Sequence, residues 1–374
     1  LALKKIIIST FDYFTSWISA AMDQFTKRPP HLSESDPYYK ELERVIVEKY
    51  FQLPGANATR EINLTDRISD SEFVADAAHL FGCNKAEIAN AFNVSLPTQF
   101  DDPLSYITII QLIKSIREQL PSIDSQHKLD ESNYGGFCCA PTGKVSACAE
   151  PIRPPNQSSK VFIVFESGLL TYIHGIISTI LMAIPPNLLE GENLESWRAQ
   201  WEEYKLIEAS LLSEDSAALK AWVSFFSSYN LRSDLSYIPN SDIPPIARSI
   251  IAGMTFGCEV FITAHEYAHA LLRHQNAKLN DHQVELDADE LGARIAYQAC
   301  TDKGLGFPIV AAGIAIFLNA IELGGAQTGT HLPAAQRIKH IVNSLIGLST
   351  EEKSISLDLA TVFTEVLRDL NTHQ

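Results

Sequence analysis

Thr263-Ala264-His265-Glu266-Tyr267-Ala268-His269-Ala270-Leu271-Leu272 lies inside a long apolar run with helical spacing. On a helix, positions i and i+4 share a face, so His265 and His269 can turn two imidazoles toward one metal ion. Glu266 stands beside the first of them, where a carboxylate can take a proton from an attacking water. The flanks are apolar, with Phe261, Ile262, Ala264, Ala268 and Leu271. Burying two imidazoles and a carboxylate there without a partner would cost several kcal/mol. The pattern therefore implies zinc-dependent hydrolysis of peptide bonds, set against the bland alternative of an amphipathic helix with two surface histidines.

Two histidines leave zinc one protein ligand short. An extended motif would need a histidine at position 275 and a glycine at 272, but the chain has Gln275 and Leu272, and His274 is out of phase. A carboxylate from the following helix is the other solution. Glu285-Leu286-Asp287-Ala288-Asp289-Glu290-Leu291-Gly292 offers Glu285 and Asp289 one turn apart on one face. Glu285 can bind the metal, while Asp289 can accept the remaining N–H of a ligand histidine and fix its tautomer. Ala288 and Gly292 are small enough for two helices to approach closely. A charged solvent face is the simpler reading of the same acidic cluster, and the spacing from the upstream motif argues against it.

Composition narrows the partners. The chain has 374 residues, 46% apolar and 20% charged, which is globular and long enough for one large domain or two ordinary ones. A net charge of −16 disfavours nucleic acid and anionic membrane surfaces as main partners. Six cysteines are too few for a disulfide scaffold of this length. Cys258 and Cys300 read as buried small hydrophobes, and the spacing of Cys138, Cys139 and Cys148 fits no standard zinc template.

Outward from the motif, the pattern from Ile246 to His274 reads as a central core helix, followed by a helix over 281–300. A Gly-interrupted apolar helix over 304–321, one from about 333 to 345 and a last one over 356–370 close the chain. Upstream, Lys160-Val161-Phe162-Ile163-Val164-Phe165 is the clearest strand, and Ser167 to Ile184 an uncharged helix expected to pack on it rather than to span a membrane. Residues 137–155 suggest a β-hairpin, and 190–240 an inserted helical segment or lid. Before these lie helices over 104–119 and 38–51, and an amphipathic helix over 1–28, in which Asp12 interrupts what could otherwise pass for a signal peptide. Residues 70–97 form two short helices, of which Lys85 to Ser95 resembles the recognition half of a helix-turn-helix, though Lys85 is its only cation.

The pairing of H-E-Y-A-H with E-L-D-A-D-E-L-G resembles the gluzincin peptidases of the HtpX and CAAX-prenyl-protease group, whose second motif reads E-x-x-A-D. Thr330-His331-Leu332-Pro333-Ala334-Ala335-Gln336-Arg337 is similar to that group's T-H-P-x-x-x-x-R segment, with the proline one place later, and Ile163 to Leu170 resembles its strand and Gly-Leu-Leu turn. The resemblance covers roughly residues 160–345. It implies His265, His269 and Glu285 as zinc ligands and Glu266 as general base. It also implies Asp289 behind a ligand, and His331 and Arg337 assisting near the oxyanion or the metal. Only 15 residues separate His269 from Glu285, too few for inserted membrane helices.

The expected fold is mainly α (α+β), a zincin-like helical domain with a small sheet over 156–374, preceded by an α-rich region over 1–155. Its expected partner is a protein or peptide substrate, with a cytoplasmic location. The alternatives are a regulatory or DNA-binding scaffold that keeps a zinc-binding peptidase-like half, and a membrane-associated quality-control peptidase.

Overall fold

The structure, a computed structural model, describes residues 36–50, 101, 103–123, 129–140, 145–166, 168–183, 245–272, 281–323 and 332–372. The helix expected over 1–28, the helix-turn-helix resemblance at 70–97, the segment 190–240 and His331 lie outside the described residues. Within them the chain is mainly helical with one small sheet: α1 (Pro37–Tyr50), α2 (Pro103–Ile123), a 3₁₀ turn (Glu131–Asn133), β1 (Tyr134–Ala140), β2 (Ala147–Ile152) and β3 (Lys160–Glu166), then α3 (Leu169–Ala183), α4 (Pro245–Leu271), α5 (Asp281–Thr301), α6 (Phe307–Leu323), α7 (Ala334–Ser344) and α8 (Thr350–Thr372).

The sheet explains why Lys160 to Glu166 is a continuous apolar run. The strand order is β1-β3-β2, so β3 is central and buried on both faces. Successive side chains point to opposite faces. Ile163 and Phe165 enter the main core with Phe137 and Cys139, whereas Phe162 and Val164 join Cys138, Ala140 and Ile152 in a second cluster. Tyr39, Leu42 and Ile46 of α1 close that second cluster, so the sheet is sandwiched between α1 and the helical body. Glycine is required where β1 crosses Phe162. A Cβ on Gly135 would stand 2.2 Å from the Phe162 ring, and Gly136 has φ +142 at the register shift of that strand pair.

The hairpin expected over 137–155 is corrected by the pairing. Both strands exist, but β1 runs parallel and β2 antiparallel to β3, one on each side of it. A hairpin is the local solution. Here the long apolar β3 offers two edges, and burying both outweighs pairing the two less apolar strands with each other. The sheet thus joins residues on both sides of position 155, and α2 packs on α4 and α5.

Around α4 the other elements assemble. It packs against α5, α6, α3, α2 and the sheet, with nearly all its described side chains buried. Two close crossings set its neighbours. A Cβ on Gly313 would approach Met254 O to 2.6 Å, which holds α6 against α4, and a Cβ on Gly292 would meet His265 N at 3.0 Å, which holds α5 against the motif. From Phe307 to Leu318 the α6 helix is apolar on every side, as a helix buried in the body must be. No helix among the described residues is long and apolar enough to cross a membrane. The body is capped by α8, whose start carries a reciprocal pair: Ser349 N–H donates to Glu352 Oε2 and Glu352 N–H to Ser349 Oγ.

Candidate metal centre

His265 and His269 occupy the last two turns of α4, and Glu285 the second turn of α5. The close crossing at Gly292 brings these helices near enough for their side chains to meet. His265 Nε2 lies 3.3 Å from His269 Nε2 and 3.3 Å from Glu285 Oε2, and His269 Nε2 lies 3.8 Å from Glu285 Oε1. The three donor groups converge within 4.8 Å. With bonds of about 2.0–2.1 Å to zinc, a tetrahedral pair of ligand atoms stands about 3.4 Å apart. Two of these separations match that edge, and the third, 3.8 Å, runs to the other oxygen of the same carboxylate. Two ring nitrogens and a carboxylate facing one point are a donor set that suits a divalent cation.

Behind this cluster stands Asp289, fully buried on α5. Its Oδ1 lies 3.0 Å from His265 Nδ1, the separation of a hydrogen bond although the pair is not aligned in line. Arg337 of α7 donates to both carboxylate oxygens, through Nε at 2.8 Å and Nη2 at 2.7 Å. The sequence expectation for Arg337 was a place near the oxyanion or the metal. Its fork lies on Asp289, and its charge also acts on Glu285 and Glu266.

The charges follow from this arrangement. Burial works against protonating His265, but Asp289 and Glu285 outweigh it and carry its pKa to about 10. Burial raises Glu266 to about 7; His265 and Arg337 pull it down and Glu285 pushes it up. For Asp289 burial again acts upward, yet the Arg337 guanidinium holds it well below the usual carboxylate range. Glu266 keeps partial solvent access, as a group that must reach a substrate needs. The backbone of Ala149, in β2, hydrogen-bonds its carboxylate.

Two of these partners escaped the sequence reading. Ala149 could not be found, because its position depends on which edge of β3 its strand takes. The Asp289 partnership of Arg337 left a signal. Ala334, Arg337, Ile338, Ile341 and Val342 form the buried stripe of α7, and a guanidinium on an apolar stripe requires a buried counter-charge.

Comparison places part of the chain among peptidases. Residues 212–359, less than half of the chain, match the family model described as Peptidase U49, a stretch that contains His265, Glu266, His269, Glu285, Asp289 and Arg337. No curated protein and no solved structure matches the chain. The match supports a peptidase, a hydrolase acting on protein or peptide substrates.

Proposed function

We propose that the chain is a zinc-dependent endopeptidase of the gluzincin kind, similar in its site to the HtpX and CAAX-prenyl-protease group. The observation that carries this reading is the convergence of His265, His269 and Glu285 within 4.8 Å beside Glu266. These three residues would hold the ion. When bound, zinc acidifies a water and polarises the scissile carbonyl.

The chain's own residues supply the rest. Glu266 accepts a proton from the attacking water on its carboxylate and returns it to the leaving amine nitrogen. Asp289 orients the His265 ring from behind, and Arg337 keeps that carboxylate ionised and fixed, which makes Arg337 a positioning residue. The hydrogen bond between Glu266 and Ala149 puts β2 alongside the reacting group. Among the described residues β2 is paired on one edge only. An extended peptide can add to its other edge through main-chain hydrogen bonds, which suits a protein substrate in an unfolded stretch.

Glu266→Gln tests the reading. Glutamine keeps the shape and loses the base, so the variant should hold zinc at the wild-type ratio while cleavage of casein falls by about 10²–10⁴. Cleavage by the wild-type protein should stop with a chelator and return with zinc. A Glu266→Gln protein of undiminished activity would end the proposal.

A further inference from the structure

The motif sits at the end of its helix, and helix ends are held least firmly because the last carbonyls lack intrahelical partners. Helix α4 stops at Leu271, two residues after His269. Something outside the helix must therefore fix the rotation of its last turn. On the side away from the donor cluster, Tyr267 is fully buried up to its hydroxyl. That hydroxyl donates to Glu131 Oε1, and Arg117 Nε lies 3.1 Å from the hydroxyl and 2.9 Å from Glu131 Oε1. The Arg117 guanidinium also lies over the Tyr134 ring at 5.4 Å, and that ring packs on Tyr267 at 4.4 Å between centroids. Two residues along, Asn133 Nδ2 donates to Ala270 O at 3.2 Å, satisfying one of the terminal carbonyls.

From this geometry we infer that Glu131, with Arg117 and Asn133, is a latch that positions the catalytic helix, acting through Tyr267 on the neighbouring Glu266 and His269. The inference rests on the peptidase reading of the site. The 3₁₀ turn that bears Glu131 and Asn133 runs directly into β1, so these two residues tie the last turn of α4 to the sheet that flanks the base, and Arg117 ties it to α2. Arg117 and Glu131 are about half exposed, which leaves their pair open to solvent and to competition from other charges.

Three variants of the full, zinc-loaded chain test this: Tyr267→Phe, Glu131→Ala and Glu131→Gln. Phenylalanine keeps the buried ring and loses only the hydroxyl, so the fold is retained. Tyr267→Phe and Glu131→Ala should speed amide exchange of residues 268–272 roughly tenfold, the equivalent of one hydrogen bond. They should also lower kcat by a similar factor, with KM changed less than twofold. Glu131→Gln keeps an acceptor for the tyrosine and should recover most of both. Unchanged exchange in the first two variants overturns the latch. Faster exchange at an unchanged kcat overturns its positioning role, as does a Glu131→Gln protein no better than Glu131→Ala. A wild-type chain without zinc or turnover defeats the peptidase reading and, with it, the positioning role, while the exchange arm still judges the latch itself.

Discussion

Replacing Arg337 by methionine would strip Asp289 of both its guanidinium hydrogen bonds while leaving the carboxylate in a place water does not reach. Removing one partner of a buried ion pair costs about 3–5 kcal/mol, because the remaining charge stays desolvated. For a body of this size that corresponds to a melting temperature lower by on the order of 10 °C. The pH dependence identifies the cause. In the wild type Arg337 holds Asp289 below its ordinary value of 3.8, so the pair's stabilisation is present above about pH 4 and lost as the pH falls further. In Arg337→Met the guanidinium's pull is gone and His265 is left to oppose burial, so that carboxyl sits higher than in the wild type. The stabilisation that the pair gives the wild type is then missing at every pH above about 4. Adding Asp289→Asn removes the stranded charge and should restore at least half the loss. Melting of chelator-treated wild type, Arg337→Met and the double variant at pH 5 and pH 8 reads all three quantities. The reasoning fails if Arg337→Met melts within about two degrees of wild type at pH 8, or if the double variant is no more stable than the single one.

Other consequences follow from the same core. Glu259, buried on α4, is pushed up to about 8 by burial. Between its ordinary 4.5 and about 8 the unfolded chain ionises it while the fold keeps it protonated, so stability falls by up to about 1.4 kcal/mol per pH unit and then levels off. Glu259→Gln should remove that slope, gaining little near pH 4.5 and a few kcal/mol by pH 8 in urea denaturation; an equal gain at both pH values contradicts the assignment. Gly292→Ala would press a methyl group 3.0 Å from His265 N and 3.1 Å from its Cα, backbone atoms that cannot swing aside. It should cost about 1–3 kcal/mol and weaken zinc retention against a chelator, and unaltered retention would show that the crossing is looser than described. Zinc at a hundredfold excess over its Kd should raise stability by about 2.7 kcal/mol, readable as a melting shift that His269→Ala abolishes. A shift that survives that variant points to zinc held elsewhere.

Local pattern carried much of the fold. The helices over 37–50, 245–271, 281–301 and 307–323 follow apolar periodicity, and their observed ends fall within a few residues of what that periodicity predicts. Strand β3 is equally plain, because a run from Val161 to Phe165 has no polar position to place in water. The pairing of its neighbours was not legible. Tyr134-Gly135-Gly136 and Ala147-Cys148-Ala149-Glu150-Pro151 are weakly patterned segments whose partners are decided by the free edges of β3 and by α1 on the far face, neither of which is a local property.

The cluster itself was readable for a physical reason. His265 and His269 are separated by one turn, and Glu285 and Asp289 by another, so the intrahelical half of the geometry is fixed by the helical repeat alone. What the sequence left open was whether the two helices meet, and Gly292 decides that by letting α5 come against the His265 backbone. Its partners one layer out lie far along the chain. Arg337 reaches Asp289 across 48 residues, and Arg117 reaches Tyr267 across 150. Both arginines nevertheless obey one rule. A cation placed on or beside an apolar stripe must meet an anion or an aromatic face, and each does: Arg337 meets Asp289, and Arg117 meets Glu131 and the Tyr134 ring. The motif helix is thus held by charge on two sides, tightly and out of water behind His265, and in the open behind Tyr267. A change of salt should therefore loosen the Tyr267 side first, since a half-exposed pair is screened and a buried one is not.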